Sequence, residues 1–168
     1  TGIAVGDSQS LDKLSMVQVG TSSWNAVAVT FSSGSFGIRS DGALFSWGVN
    51  SSGVLGNNTS AGNTSSPVQI GVATWSKVYI AGAMEAIKSD GTLWMCGQSI
   101  SNGTAGYRSS PVQLGALTNW STVAADQYSV IAVKTNGTLW SWGNNNVGQL
   151  GLGNRTYYSS PVQIGALT

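Results

Sequence analysis

The stretch "GTLWSWGNNNVGQLG", Gly137–Gly151, decides the fold, because most of it occurs again upstream. "GALFSWGVNSSGVLG" runs from Gly42 to Gly56, "GTLWMCG" from Gly91 to Gly97, and "SSPVQ" is written three times. Three markers keep one order along the chain: Trp24, Trp75 and Trp120; Gly42, Gly91 and Gly137; Pro67, Pro111 and Pro161. Each set recurs at about 45–50 residues, the range of solenoids and propellers. Tandem duplication is the simplest source of such a pattern.

Each unit reads as four short strands. "WNAVAV", "WSKVYIAG" and "WSTVAAD" form the first, and "SFGIRS", "MEAIKS" and "VIAVKT" the second. Asp41-Gly42, Asp90-Gly91 and Asn136-Gly137 follow as hairpin turns, expected here as the two-residue type with positive φ at both positions. "ALFSWG", "TLWMCG" and "TLWSWG" supply the third strand. A polar loop leads to "PVQIG" or "PVQLG", with Pro at the start of the fourth strand. No window keeps a 3.6-residue period for ten residues without Gly or Pro, so helices are not expected.

The order W-x-x-V, an apolar strand, D/N-G-x-L-W-x-W-G, N-x-x-G-Q-L-G and S-P-x-x-V/I resembles the regulator of chromosome condensation repeat. The resemblance extends over nearly the whole chain and is fullest in "TNGTLWSWGNNNVGQLG". It implies an all-β fold, a β-propeller of four-stranded blades, seven to the ring in that family. Four strands per unit is propeller arithmetic in its own right. The expected divisions are the second half of a preceding repeat (1–23), then repeats at 24–74, 75–119 and 120–168. "SMVQVGTSSW" at Ser15–Trp24 supports the half-repeat, as does the match of Ala4–Ser8 to Gln149–Gly153. About three and a half blades result.

Unit two departs from the pattern. It lacks "GQLG", its Gln98–Ser110 loop is shorter than Val49–Ser66 and Asn144–Ser160, and Cys96 stands where Trp47 and Trp142 stand. A thiol in place of an indole should loosen that blade unless a neighbour fills the space.

Composition narrows the function. The 168 residues include 23 Gly, only 8% are charged, the net charge is +1 and His is absent. A typical domain has about 25% charged residues. No basic stripe exists for bare nucleic acid or an acidic membrane. Without His, Ser–His and Cys–His nucleophile designs are impossible, and a lone Cys96 excludes a disulfide framework and a Cys-rich zinc site. "GQLGLG" has no following Lys-Ser/Thr helix, so it is not a phosphate loop. No apolar run is long enough for a membrane-spanning helix. A start at Thr1 without a signal pattern is expected of a processed or excised segment. The expectation is a protein without enzymatic activity, cofactor or metal.

Arg39, Lys88 and Lys134 share one position before the turn. They form either a ring of bases facing a partner or charged strand ends that keep an edge soluble. The positions aligned with Glu85 and Asp126 in other units are apolar, small or absent; both acids are expected at solvated strand ends, with a ligand or catalytic role as the alternative. Eight sequons, Asn50 and Asn136 among them, follow from Asn/Ser/Thr-rich loops and do not establish glycosylation. Tyr107, Arg108, Arg155, Tyr157 and Tyr158 lie in polar loops where contacts are displayed, and they are the candidate binding residues.

Three and a half blades leave an unclosed ring, which further repeats of a longer polypeptide or further copies of the chain could complete. The leading expectation is a protein-interaction or structural module. The resemblance to bacterial and phage members of the family implies a secreted, surface or virion-associated context. One alternative is a nucleotide-exchange regulator of a small GTPase, as in the family's founding member, but no basic tail and few acidic residues are present. The other is a carbohydrate-binding propeller using the loop tyrosines.

Overall fold

A computed structural model describes residues 15–29, 34–80, 83–99, 106–126 and 128–165. The strands are β1 (Trp24–Val29), β2 (Gly34–Arg39), β3 (Ala43–Gly48), β4 (Thr64–Ile80), β5 (Ala83–Lys88), β6 (Leu93–Ser99), β7 (Gly106–Gln113), β8 (Trp120–Ala125), β9 (Ser129–Lys134), β10 (Leu139–Gly143) and β11 (Tyr158–Ile164). All neighbours are antiparallel. β4 belongs to two blades: its first part pairs with β3 as far as Thr74, and from Trp75 it pairs with β5. The result is three consecutive four-stranded meanders, an all-β arrangement of propeller blades. Ala4–Ser8 and the sequon at Asn102 lie outside the described residues.

Two expectations about local geometry are corrected. In each hairpin only the glycine has positive φ, at 87°, 80° and 82° for Gly42, Gly91 and Gly137. Each glycine N–H donates to the carbonyl three residues back, on Arg39, Lys88 or Lys134. The turn is therefore type I with a left-handed glycine closing a bulge. Asp and Asn serve it differently from the expected way: Oδ1 of Asp41, Asp90 and Asn136 accepts the N–H of Ala43, Thr92 and Thr138.

The prolines are not at strand starts either. β3 pairs Gly48 with Thr64 and Ser46 with Val68; β6 pairs Gly97 with Arg108 and Met95 with Val112; β10 pairs Gly143 with Tyr158 and Ser141 with Val162. Ser-Ser-Pro is thus a bulge on the fourth strand of every blade. Proline is tolerated there because the ladder is already interrupted and the strand is an edge.

The core lies between blades rather than within them. Phe36, Ile38, Leu44 and Ile70 of the first blade meet Trp75, Val78, Met84 and Ala86 of the second. Ile87, Leu93, Met95 and Leu114 of the second meet Trp120, Val123, Ala132 and Trp142 of the third. In the second blade the middle strands β5 and β6 are buried on both sides because one face looks back and the other forward.

The Cys96 gap is filled by the preceding blade. Trp24 packs on Trp47 at 6.0 Å and Trp120 on Trp142 at 5.9 Å, whereas Trp75 has Trp94 alone. Into that space comes the Gly53–Gly56 loop. A Cβ at Gly56 would sit 2.7 Å from Cys96 Sγ, and one at Gly53 would sit 2.8 Å from Ser109 Cα. Val54 and Leu55 are buried there, and Cys96 Sγ donates to the Val54 carbonyl at 3.4 Å.

The first and third blades each carry apolar side chains left exposed. Val27 is 72% exposed where its equivalents Val78 and Val123 are 6% and 3%. In the third blade Ile131 and Leu139 are each 38% exposed, against 0% for Phe36 and Leu44. Covering each such side chain contributes roughly 1.5–3 kcal/mol.

Replacing Cys96 by Trp should overpack against the Gly53–Gly56 loop and cost about 1–3 kcal/mol. Trp142→Cys should cost roughly 3–5 kcal/mol through the cavity left behind. Urea midpoints of the two variants against the parent check both values.

Candidate functional site

The loop residues lie on the rim where the fourth strands begin. Tyr107 and Arg108 open β7, with Tyr107 58% exposed and Arg108 exposed. Arg155 and Tyr157 are exposed in the loop before β11. Tyr158 begins β11 and is half-buried; its ring packs against the core between the second and third blades, and its hydroxyl accepts from Asn154 Nδ2 at 3.1 Å. Four of the five residues therefore face solvent, and Tyr158 is anchored.

The long loops beside them are built on buried asparagines. Asn50 Oδ1 accepts the Leu55 N–H at 3.1 Å while Nδ2 donates to the Thr59 carbonyl at 3.0 Å. Asn145 repeats this with Leu150 at 3.0 Å and the Asn154 carbonyl at 2.9 Å. Ser46 and Ser141 donate to the carbonyls of the same leucines at 2.8 Å. Asn50 is only 2% exposed, so its sequon is closed to modification in the folded chain.

Two grooves run along the outer rim, one at each blade junction, and they are equivalents. The first, of about 200 Å³, lies between Ile70-Gly71 of β4 and Ser110-Pro111 of β7. The second, of about 490 Å³, lies between Leu114-Gly115 and Ser160-Pro161 of β11, with Arg108 on its wall. The difference has a cause in the loops. At the first junction Asn58 N–H donates to the Ser109 carbonyl at 2.6 Å, docking the long loop on the next blade's bulge. The second blade has no "GQLG" segment to do the same for Ser159, which stays exposed.

The repeated bases do not form a free ring. Lys88 Nζ lies 3.3 Å from the Trp94 ring centroid and 5.3 Å from that of Trp75; Lys134 sits over Trp120 and Trp140 at 5.1 and 4.9 Å; the Arg39 guanidinium is 4.9 Å from Phe45. Cation–π attraction holds each base on its own blade. Arg39 also pairs with Asp41 at 2.6 Å, and this hydrogen bond draws the Asp41 carboxyl down to about 2.

Glu85 corrects the solvated-strand-end expectation. It lies mid-strand in β5, 3% exposed, across from Tyr79 on one side and Met95 on the other. Its equivalents are Phe36 and Ile131, so it points at the blade-to-blade face, and its Oε2 has no hydrogen-bond partner among the described residues. Burial raises its carboxyl to about 8. Asp126 behaves otherwise: its Oδ1 accepts the N–H groups of Tyr128 and Ser129, fixing a turn. Comparing Glu85 with Phe36 and Ile131 was the signal for its burial. Burial also pushes the Cys96 thiol far up, which removes it as a nucleophile. Among the described residues no group of three or more His, Cys, Asp or Glu could hold a metal ion.

Glu85 makes stability fall with rising pH. The unfolded carboxyl loses its proton near 4.5 and the folded one near 8. Between those values the folded state binds more protons, so unfolding becomes easier as pH increases. The parent should lose stability from pH 5 to 8 relative to Glu85→Gln, and urea titrations across that range measure the difference.

Two sequence profiles of the regulator of chromosome condensation (RCC1) repeat match, one at residues 41–81 and 136–168 and the other at 122–149. No match was found among curated protein sequences. Among solved structures, yeast RCC1 (Prp20) bound to Kap60 superposes with a TM-score of 0.73 at 21% identity, covering 87% of this chain and 38% of that one. Prp20p of Saccharomyces cerevisiae, in a structure described with its binding to Gsp1p and histones, gives 0.73 at 21%, covering 87% and 39%. Human WBSCR16 gives 0.68 at 20%, covering 84% and 39%. The chain thus spans about two fifths of the length of these structural relatives. Repeat spacing, three four-stranded blades and profile matches over just over half of the 168 residues agree: the chain belongs to the regulator of chromosome condensation repeat family.

Proposed function

We propose that the chain is a non-enzymatic protein-interaction segment of a β-propeller, organised as repeats at 24–74, 75–119 and 120–168 after a half-repeat at 1–23. The observation that carries this reading is the pair of open blade faces. Val27 and Val29 at one end, and Ile131 and Leu139 at the other, occupy positions that neighbouring blades cover elsewhere in the chain. Such faces are completed by further repeats or by further copies of the chain. Partner binding belongs to the loop rim, where Tyr107, Arg108, Arg155 and Tyr157 are displayed and Tyr158 supports them.

Two of the structural relatives are known with protein partners, Kap60 for one and Gsp1p and histones for the other. Protein binding is the common element, and it supports the interaction reading over a carbohydrate site. A nucleotide-exchange role is the second reading, on the likeness to Prp20p alone. The described residues provide little for it: Glu85 is buried, and Asp41, Asp90 and Asp126 serve turns. A secreted, surface or virion setting rests on the resemblance to bacterial and phage members of the family alone.

Light scattering of the 168-residue chain should give a mass above that of one chain. Val27→Lys and Ile131→Asp should return it to a monomer with unchanged circular dichroism. A stable, cooperative monomer of the parent would overturn the open-face reading. Catalysed nucleotide release from a small GTPase would move the second reading ahead.

A further inference from the structure

We propose that the wide groove between β7 and β11 is a recognition cleft for acidic peptide segments that carry an apolar side chain next to the carboxylate. The proposal rests on the interaction reading above and names the class of partner for one part of the rim.

The wide groove lies at the junction whose preceding unit has the shorter loop and no "GQLG" segment. At the first blade junction the "GVLG" loop packs down on the next blade, with Gly53 against Ser109 and Asn58 bonded to its carbonyl. At the second junction the sequence lacks that segment. On the bulge of β11 Ser159 and Ser160 are exposed, and the groove is more than twice the volume of its equivalent.

Its lining has two characters. Val112, Leu117 and Pro161 give an apolar shelf, with Val112 and Leu117 38% and 36% exposed. Arg108, Ser159 and Ser160 give hydrogen-bond donors on the flanks. Among the described residues no acid is available to Arg108. Asp41 is held by Arg39; Asp90 and Asp126 by their own turns; Glu85 is buried. The residues preceding β7, Ile100–Ala105, contain no charge. A guanidinium without an ion pair, on the wall of a groove, fits a carboxylate in two-pronged geometry.

The shelf selects among carboxylates. Sugar acids stack on aromatic faces and bring hydroxyls that aliphatic side chains cannot satisfy, and this shelf is aliphatic. A Leu or Val beside an Asp in an extended peptide places one group on the shelf and one on Arg108. Ladder pairing with the strand edges is disfavoured, since the Ser-Ser-Pro bulge interrupts both β7 and β11. Side-chain recognition is what remains.

Fluorescence polarisation with a labelled hexapeptide alternating Asp and Leu tests the proposal, with an Asn/Leu hexapeptide and a labelled hyaluronan hexasaccharide as comparators. The Asp/Leu peptide should bind at least tenfold more tightly than either. Arg108→Gln should weaken it tenfold or more, and Ser160→Phe, which fills the groove without changing charge, should do likewise; Lys77→Gln, a charge removed from β4 outside the groove, should leave it within twofold. Unchanged circular dichroism confirms that the variants are folded. Equal binding of the Asn/Leu peptide, tighter binding of hyaluronan, or indifference to both groove variants would overturn the cleft. Peptide binding that is lost in Tyr157→Ala but kept in Arg108→Gln would overturn the cleft while leaving the interaction reading intact. No peptide binding, combined with catalysed nucleotide release from a GTPase, would overturn both.

Discussion

A single blade of this chain cannot bury its own side chains; burial comes from the neighbour. Middle strands have apolar groups on both faces, and each face is closed by the adjacent blade. Stability is therefore a property of junctions, in the manner of repeat arrays. That dependence accounts for the exposure of Val27 and Ile131 at the ends, for the exclusion of charge from the interior, and for the cost of Glu85. It also concentrates sequence differences where they matter most, at the contacts between unlike units.

The outer rim answers a second constraint. Fourth strands are edges, and edges invite pairing with other chains. Ser-Ser-Pro breaks each ladder at one place, removing a donor and twisting the strand out of register. On the opposite side, first strands are laced across the junction by side chains, as where Tyr79 and Thr122 share a hydrogen bond at 2.8 Å. Protection of the rim and cohesion of the inner strands use different chemistry because the rim must stay free of its neighbours and the inner strands must not.

Much of the fold was legible in the sequence because duplication supplies its own controls. Four strands per unit, the hairpins and the core tryptophans follow from aligning the repeats. The turn type did not follow, since Asp-Gly and Asn-Gly serve both hairpin families and the choice lies in one φ angle. The bulge was hidden because Pro at a strand start and Pro at an edge interruption look alike in one dimension. Glu85 was misplaced through its charge, although its partners in the alignment, Phe36 and Ile131, are apolar. Within the candidate site, the exposed tyrosines and arginines were visible as loop residues. The groove was not, because it arises from what a neighbouring unit lacks. Even so, a trace existed: Ser46 and Ser141 accompany long loops, and Met95 accompanies the short one.

The fit of Cys96 to the Gly53–Gly56 loop gives the repeats an order that their similarity conceals. A thiol in one unit matches a loop in the unit before it, and an indole in the next matches the absence of that loop. Neighbours are thus specified pairwise, like adjoining pieces cut from one sheet. Exchanging two units within the chain would break every such match. Moving the chain's ends to another loop would preserve them all. Divergence in such an array is bound to travel in pairs, and a unit can change its face only when its neighbour changes with it.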